Sequence, residues 1–70
     1  MEKELQPHQL RVVDEQRELA IKIEALDKFI ENEIYTSLPE EEQKDLVLQF
    51  MAMVDYRQVL DRRINRFYEQ

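Results

Sequence analysis

Two stretches of the chain carry the same spacing of apolar positions. In the second half, Leu46, Phe50, Met53, Arg57, Leu60, Ile64 and Phe67 follow one another at alternating steps of 4 and 3, and all but Arg57 are apolar. In the first half, Leu5, Gln9, Val12, Gln16, Leu19, Ile23, Leu26 and Ile30 keep the same alternation. Steps of three and four return to one face of an α-helix, so each set is a seam along a helix that packs on another helix. The pattern predicts an all-α fold, an antiparallel two-helix hairpin over about 7–33 and 38–68 that assembles into a homo-oligomeric bundle. It forms one domain, 7–70, behind a frayed 1–6.

The stretch between the seams reads as a break. Asn32, Thr36, Ser37 and Pro39 are weak helix formers, and Pro39 pushes the residue before it out of the α region. Ser37 with Glu40 has the spacing of a capping box, and Glu40 to Glu42 would meet the positive end of the second helix. Pro7 suits the first turn of the first helix. Ile34, Tyr35 and Leu38 are expected to plug the turn end of the core. At 1.5 Å per residue each helix is roughly 40 Å long, and a short connection makes the two antiparallel neighbours. The seams then close along their whole length, with Leu26 opposite Leu46, Leu19 opposite Met53, Val12 opposite Leu60 and Leu5 opposite Phe67.

The same register sets Gln16 opposite Arg57. A guanidinium in a helix seam must be paired or reach solvent, and Gln16, Glu15 or Glu18 could accept from it. This level is either a polar layer that fixes register or a contact to a ligand.

A two-helix hairpin needs one apolar stripe per helix, and this chain has more. Val13, Ala20, Ile21 and Phe29 widen the arc of the first helix; Val47, Leu48, Met51, Ala52, Val54 and Val59 widen that of the second. Surplus of this kind marks an interface, and it predicts a homodimer or higher oligomer through Val13, Ala20, Val47, Met51, Val54 and Val59. The plain alternative is a monomer with scattered surface valines and leucines.

Composition narrows the chemistry. Seventy residues make one small domain, with no cysteine, no glycine and one histidine. Disulfides, thiolate or multi-histidine metal sites and glycine-rich phosphate loops are therefore not expected, and no cofactor is implied. Charged residues at 37% and apolar residues at 43%, arranged periodically, are the composition of long helices. The net charge of −6 disfavours general DNA or RNA binding. With no long apolar run and no signal-like start, the chain reads as cytoplasmic.

Charge is polarised. The turn end gathers Glu31, Glu33, Glu40, Glu41, Glu42 and Asp45, while the open end gathers His8, Arg11, Arg62, Arg63 and Arg66. Arginines near a helix C-terminus complement its dipole, and they can also grip phosphate or carboxylate. Without a nucleophile–base set the chain reads as a non-enzyme.

The runs PHQLRVVDEQRELAIKIEALDKFI and LVLQFMAMVDYRQVLDRRI resemble a family of short phage and prophage proteins that takes its name from a hypothetical protein of a crAss-like phage. The HQ-x-R-V start (His8, Gln9, Arg11, Val12), Tyr56 and Arg63 carry most of that resemblance, which covers nearly the whole chain. It implies phage origin and an accessory role, with no activity to carry over. Phage proteins of this size often counter host defence, some as oligomeric helical hairpins that sequester cyclic nucleotides. Two functions follow as expectations. One is a hairpin that docks on a host or phage protein and blocks it. The other is a sponge that holds a cyclic nucleotide signal between subunits through His8, Arg11, Lys22, Arg57 and Arg63. A third possibility is a purely structural self-assembly factor.

Overall fold

The computed structural model describes residues 4–69; Met1 to Lys3, part of the expected frayed terminus, lie outside them. The described residues form helix α1 (Pro7–Ile30), a short helix α2 (Glu33–Ser37) and helix α3 (Glu40–Glu69). The two long helices lie antiparallel in a rod of 52 × 15 × 15 Å. Its radius of gyration is 15.9 Å, against about 11 Å for a compact chain of this length. Among the described residues no helix is long and apolar enough to cross a membrane.

All fifteen seam positions are buried or half-buried. Val12, Leu19, Ile23 and Leu60 form the buried cluster, and Phe50, Met53, Val54, Ile64 and Phe67 pack around it. Among the described residues Leu60 alone is wholly enclosed, at 0% exposure. The 4/3 spacing puts these side chains between the helices, because only positions returning to one face can all meet the neighbour.

Both helix starts have local causes. Pro7 occupies the first position of α1, as its sequence suggested. The Gln6 N–H donates to Gln9 Oε1 at 2.8 Å, satisfying a group the helix itself cannot reach. Leu5, just before it, is half-buried.

The turn departs from the sequence reading in four ways. First, α1 ends at Ile30 rather than near Glu33. Asn32 turns extended (ψ 151°) and its Oδ1 accepts from the Ile34 N–H at 2.9 Å, a side chain outcompeting the helix for the backbone. Second, the break contains α2, so it is not a loop. Third, Ser37 caps nothing. It lies inside α2, and its hydroxyl donates back to the Ile34 carbonyl at 2.6 Å. Fourth, α3 starts at Glu40 rather than Leu38, because Leu38 is held extended (φ −76°, ψ 157°) ahead of Pro39. The Pro39 carbonyl then accepts from the Gln43 N–H at 3.0 Å.

Tyr35 and Leu38 do cover the turn end of the core, whereas Ile34 is 58% exposed. Gln43 bolts the corner. Its amide nitrogen donates to the Leu38 carbonyl at 2.8 Å and the Thr36 carbonyl at 3.3 Å, and its backbone carbonyl accepts from the Tyr35 hydroxyl at 3.2 Å. Among the described residues none has a positive φ, so the chain reverses without the conformation that glycine supplies.

Candidate functional site

The polar layer is built differently from the sequence expectation. Gln16 does sit in the seam, but its amide nitrogen donates to Asp61 Oδ1 at 3.1 Å. Asp61 Oδ2 faces Arg57 Nε at 3.9 Å, four residues earlier on the same helix. Neither Glu15 nor Glu18 takes part; both are exposed. An i,i+4 carboxylate on α3 reaches the guanidinium more directly than a residue across the interface.

At 3.9 Å the pair is held by charge and makes no hydrogen bond. Arg57 Nε is therefore shielded from water with no hydrogen-bond partner, although the side chain as a whole is 43% exposed. Its outer nitrogens reach solvent. The inner one is a donor without an acceptor, an arrangement that folded proteins rarely leave in place.

Arg57 also lines a groove of about 430 Å³ between α1 and α3. Ala20, Ile21, Ile23 and Phe50 give it apolar wall, and Glu24, Asp27 and Arg57 supply charge. The volume falls within the range of small-molecule sites, and the mixture of an aromatic wall with a few polar groups is typical of them. A second, more apolar cleft lies at the turn, lined by Tyr35, Glu40, Gln43, Lys44, Val47 and Leu48.

The remaining candidates divide between the two sides of the rod. Val13, Ala20, Val47 and Val54 each follow a seam residue by one position, and Met51 follows Phe50 likewise; we call this side the trailing flank. His8, Arg11, Lys22, Val59 and Arg63 each precede a seam residue by one, on the leading flank. Because the helices run in opposite directions, equivalent flanks face the same way.

On the trailing flank Val13, Ala20 and Val54 are half-buried, while Val47 and Met51 are 37% and 56% exposed. Val59 thus stands apart from the other five interface candidates. His8, Arg11 and Arg63 share the open end, all exposed. Lys22 lies about 16 Å along α1 from Arg11 at the helical rise. None of these four makes a hydrogen bond or ion pair among the described residues. The five basic candidates do not converge on one site, and only Arg57 lines a groove.

Missing from the sequence reading were Asp61, the acceptor of the polar layer, and Phe50 as groove wall. The i,i+4 spacing of Arg57 and Asp61 was the available signal for the first.

Fold and groove define a class of small helical hairpins with a polar break in the seam and an open groove beside it. A family model described as Sequestin matches residues 6–66, and the chain belongs to that family. The chain is also 38% identical, over 60 residues, to an uncharacterized 7.5 kDa protein in the denB-rIIB intergenic region of Enterobacteria phage T4. That match covers 86% of this chain and 94% of the phage protein. The connection to short phage proteins is thereby supported; neither match speaks to the crAss-like phage naming. No solved structure matches.

Proposed function

We propose that this chain is a non-enzymatic, phage-type sequestering protein of the infected cell's cytoplasm that holds a cyclic nucleotide signal in the groove beside Arg57. The observation that carries the reading is Arg57, whose side chain is 43% exposed and lines a groove that Phe50 also lines. A guanidinium grips phosphate through parallel N–H bonds, and an aromatic wall accepts the face of any base. Glu24 and Asp27 could accept from a base's exocyclic amine. The family's description suits sequestration, which needs affinity and no chemistry.

The basic residues of the leading flank, His8, Arg11, Lys22 and Arg63, take a lesser part in this reading because they line no groove with Arg57. A calorimetric and thermal-shift screen against cyclic di- and trinucleotides tests it. We expect saturable binding of at least one, and a melting temperature that rises with ligand concentration. Arg57→Leu should abolish binding while the hairpin folds, since an apolar residue suits the seam. Arg63→Ala should bind within about threefold of the parent, because an exposed side chain away from the groove contributes a few tenths of a kcal/mol at most. A blank screen removes the reading.

A second reading has its own observation. The cleft at the turn sets Val47 and Leu48, the latter 61% exposed, beside the acidic start of α3. A partner protein with an apolar anchor and a basic rim would fit there and be blocked. Stoichiometric capture of one host protein, lost in Leu48→Asp, supports that reading; recovery of the chain alone removes it.

A further inference from the structure

Charge is spread unevenly along the Arg57 groove. Its cation, Arg57, lies near the level of Gln16, since both meet Asp61. Its two carboxylates stand farther along α1, toward the turn. Glu24 is eight residues beyond Gln16 and Asp27 eleven, or about 12 and 16 Å at the helical rise. Phe50, half-buried, falls between them, seven residues from Arg57 along α3, or about 10 Å. The order from the middle of the rod toward the turn is therefore guanidinium, aromatic ring, carboxylates.

Helix direction draws the two charged ends together. Side chains of an α-helix lean toward its N-terminus. Helix α3 begins at the turn, which tilts Arg57 toward the carboxylates; α1 begins at the open end, which tilts Glu24 and Asp27 toward Arg57. Residues whose levels are about three turns apart accordingly line one groove.

The carboxylates are not equivalent. Glu24 faces Lys28 Nζ at 3.2 Å. The Asp27 side chain has no hydrogen bond or ion pair among the described residues. Two carboxylates repel a phosphate, so the anionic part of a ligand belongs at Arg57 and a part bearing N–H groups at the other end. A nucleotide is built in that order: phosphate, then the face of the base, then its Watson–Crick edge.

The edge decides which base. An ionised carboxylate offers acceptors on both oxygens and no donor. Guanine sets two N–H donors, N1–H and N2–H, side by side on that edge, and they match both oxygens of one carboxylate. Adenine and cytosine place a ring-nitrogen acceptor next to the amine, which would meet the second oxygen lone pair to lone pair. Uracil has a single N–H between two carbonyls.

We propose that the groove reads guanine: Asp27 accepts from N1–H and N2–H, Phe50 lies against the base and Arg57 holds the phosphate. Glu24, paired with Lys28, keeps phosphate away from the carboxylate end. The assignment rests on the sequestering reading above, and the experiment separates the two.

Calorimetry on the full-length chain compares cyclic dinucleotides that carry guanine, hypoxanthine, adenine or uracil at both positions. The guanine ligand should bind at least about tenfold more tightly than the adenine or uracil one, because a mismatched edge leaves the carboxylate facing acceptors. Hypoxanthine keeps N1–H and lacks the N2 amine, so its ligand should fall between. Asp27→Asn replaces the carboxylate with an amide, which pairs with a donor–acceptor edge such as that of adenine. It should weaken the guanine ligand at least about tenfold and leave the adenine ligand within about threefold of the parent or tighter. Asp27 is exposed, so the variant should fold, and an unchanged melting temperature checks that.

Loss of structure would weaken every ligand alike; a change of preference would not come from it. Guanine and adenine ligands that bind within about threefold of each other overturn the assignment and leave the sequestering reading in place. An Asp27→Asn chain that keeps the guanine preference does the same. Silence from every ligand removes both.

Discussion

The two flanks of the rod share one seam and differ in almost everything else. On the trailing flank, the short side chains of Val13, Ala20 and Val54 are half-buried, and Asp61 leans in to accept from Gln16. On the leading flank His8, Arg11, Glu15, Lys22, Tyr56, Val59 and Arg63 all stand exposed, and Phe29 is the one large side chain partly covered there. Positions one step from the seam are not equivalent in a 4/3 repeat. Val13, Ala20, Val54 and Asp61 each open a four-residue step and lie beside the facing helix, whereas Val59, the same side chain as Val54, closes a three-residue step and turns outward. Long charged side chains extend to water from either kind of position.

Three measurements sharpen or break that contrast, and all can be read from denaturant unfolding. The yardstick is the seam that both flanks share. Leu60→Ala should lower stability by about 2–5 kcal/mol, since Leu60 is fully enclosed and its neighbours can only partly fill the space. A loss below about 1 kcal/mol would mean that the helices are not packed on this seam.

Next comes the matched pair across it. Val54→Asp should cost about 1–3 kcal/mol, while Val59→Asp should stay within about 0.5 kcal/mol. Equal costs would erase the distinction between the flanks.

The smallest contrast is polar. Asp61→Ala takes the acceptor from Gln16 and the counter-charge from Arg57, with an expected loss of about 1 kcal/mol. Glu24→Gln breaks the 3.2 Å pair with Lys28, two side chains 69% and 74% exposed, and should change stability by only a few tenths of a kcal/mol.

Much of this was legible before any coordinates. The alternation of 4 and 3 settled which face of each helix turns inward, Gln9, Gln16 and Arg57 included, because periodicity depends only on the helix repeat. The polar layer was legible as a level and not as a set of bonds. Register told which residues share a height, but Asp61 reached Arg57 along its own helix, a choice made by side-chain reach. The turn was legible as a break and misread in detail. Ser37 has the chemistry of a cap, yet its hydroxyl found the Ile34 carbonyl one turn behind, while Asn32 caps the short helix α2 that the sequence reading did not contain. The groove was not legible, since it depends on what the small residue Ala20 leaves open beside Phe50.

The partners of the Gln43 side chain, Leu38 and Thr36, sit only five and seven residues away in the chain, and Tyr35, which bonds its carbonyl, eight. Loops that short close in well under a microsecond, long before Val12 can find Leu60. The corner can therefore nucleate folding, with the rods zippering outward from it toward their free ends. Transition-state analysis should give a φ-value near 1 for Gln43→Ala and a much lower one for Ile64→Val. The molecule would then be assembled quickly at its most polar knot and slowly where it is greasiest, so the open end is also where it should breathe first.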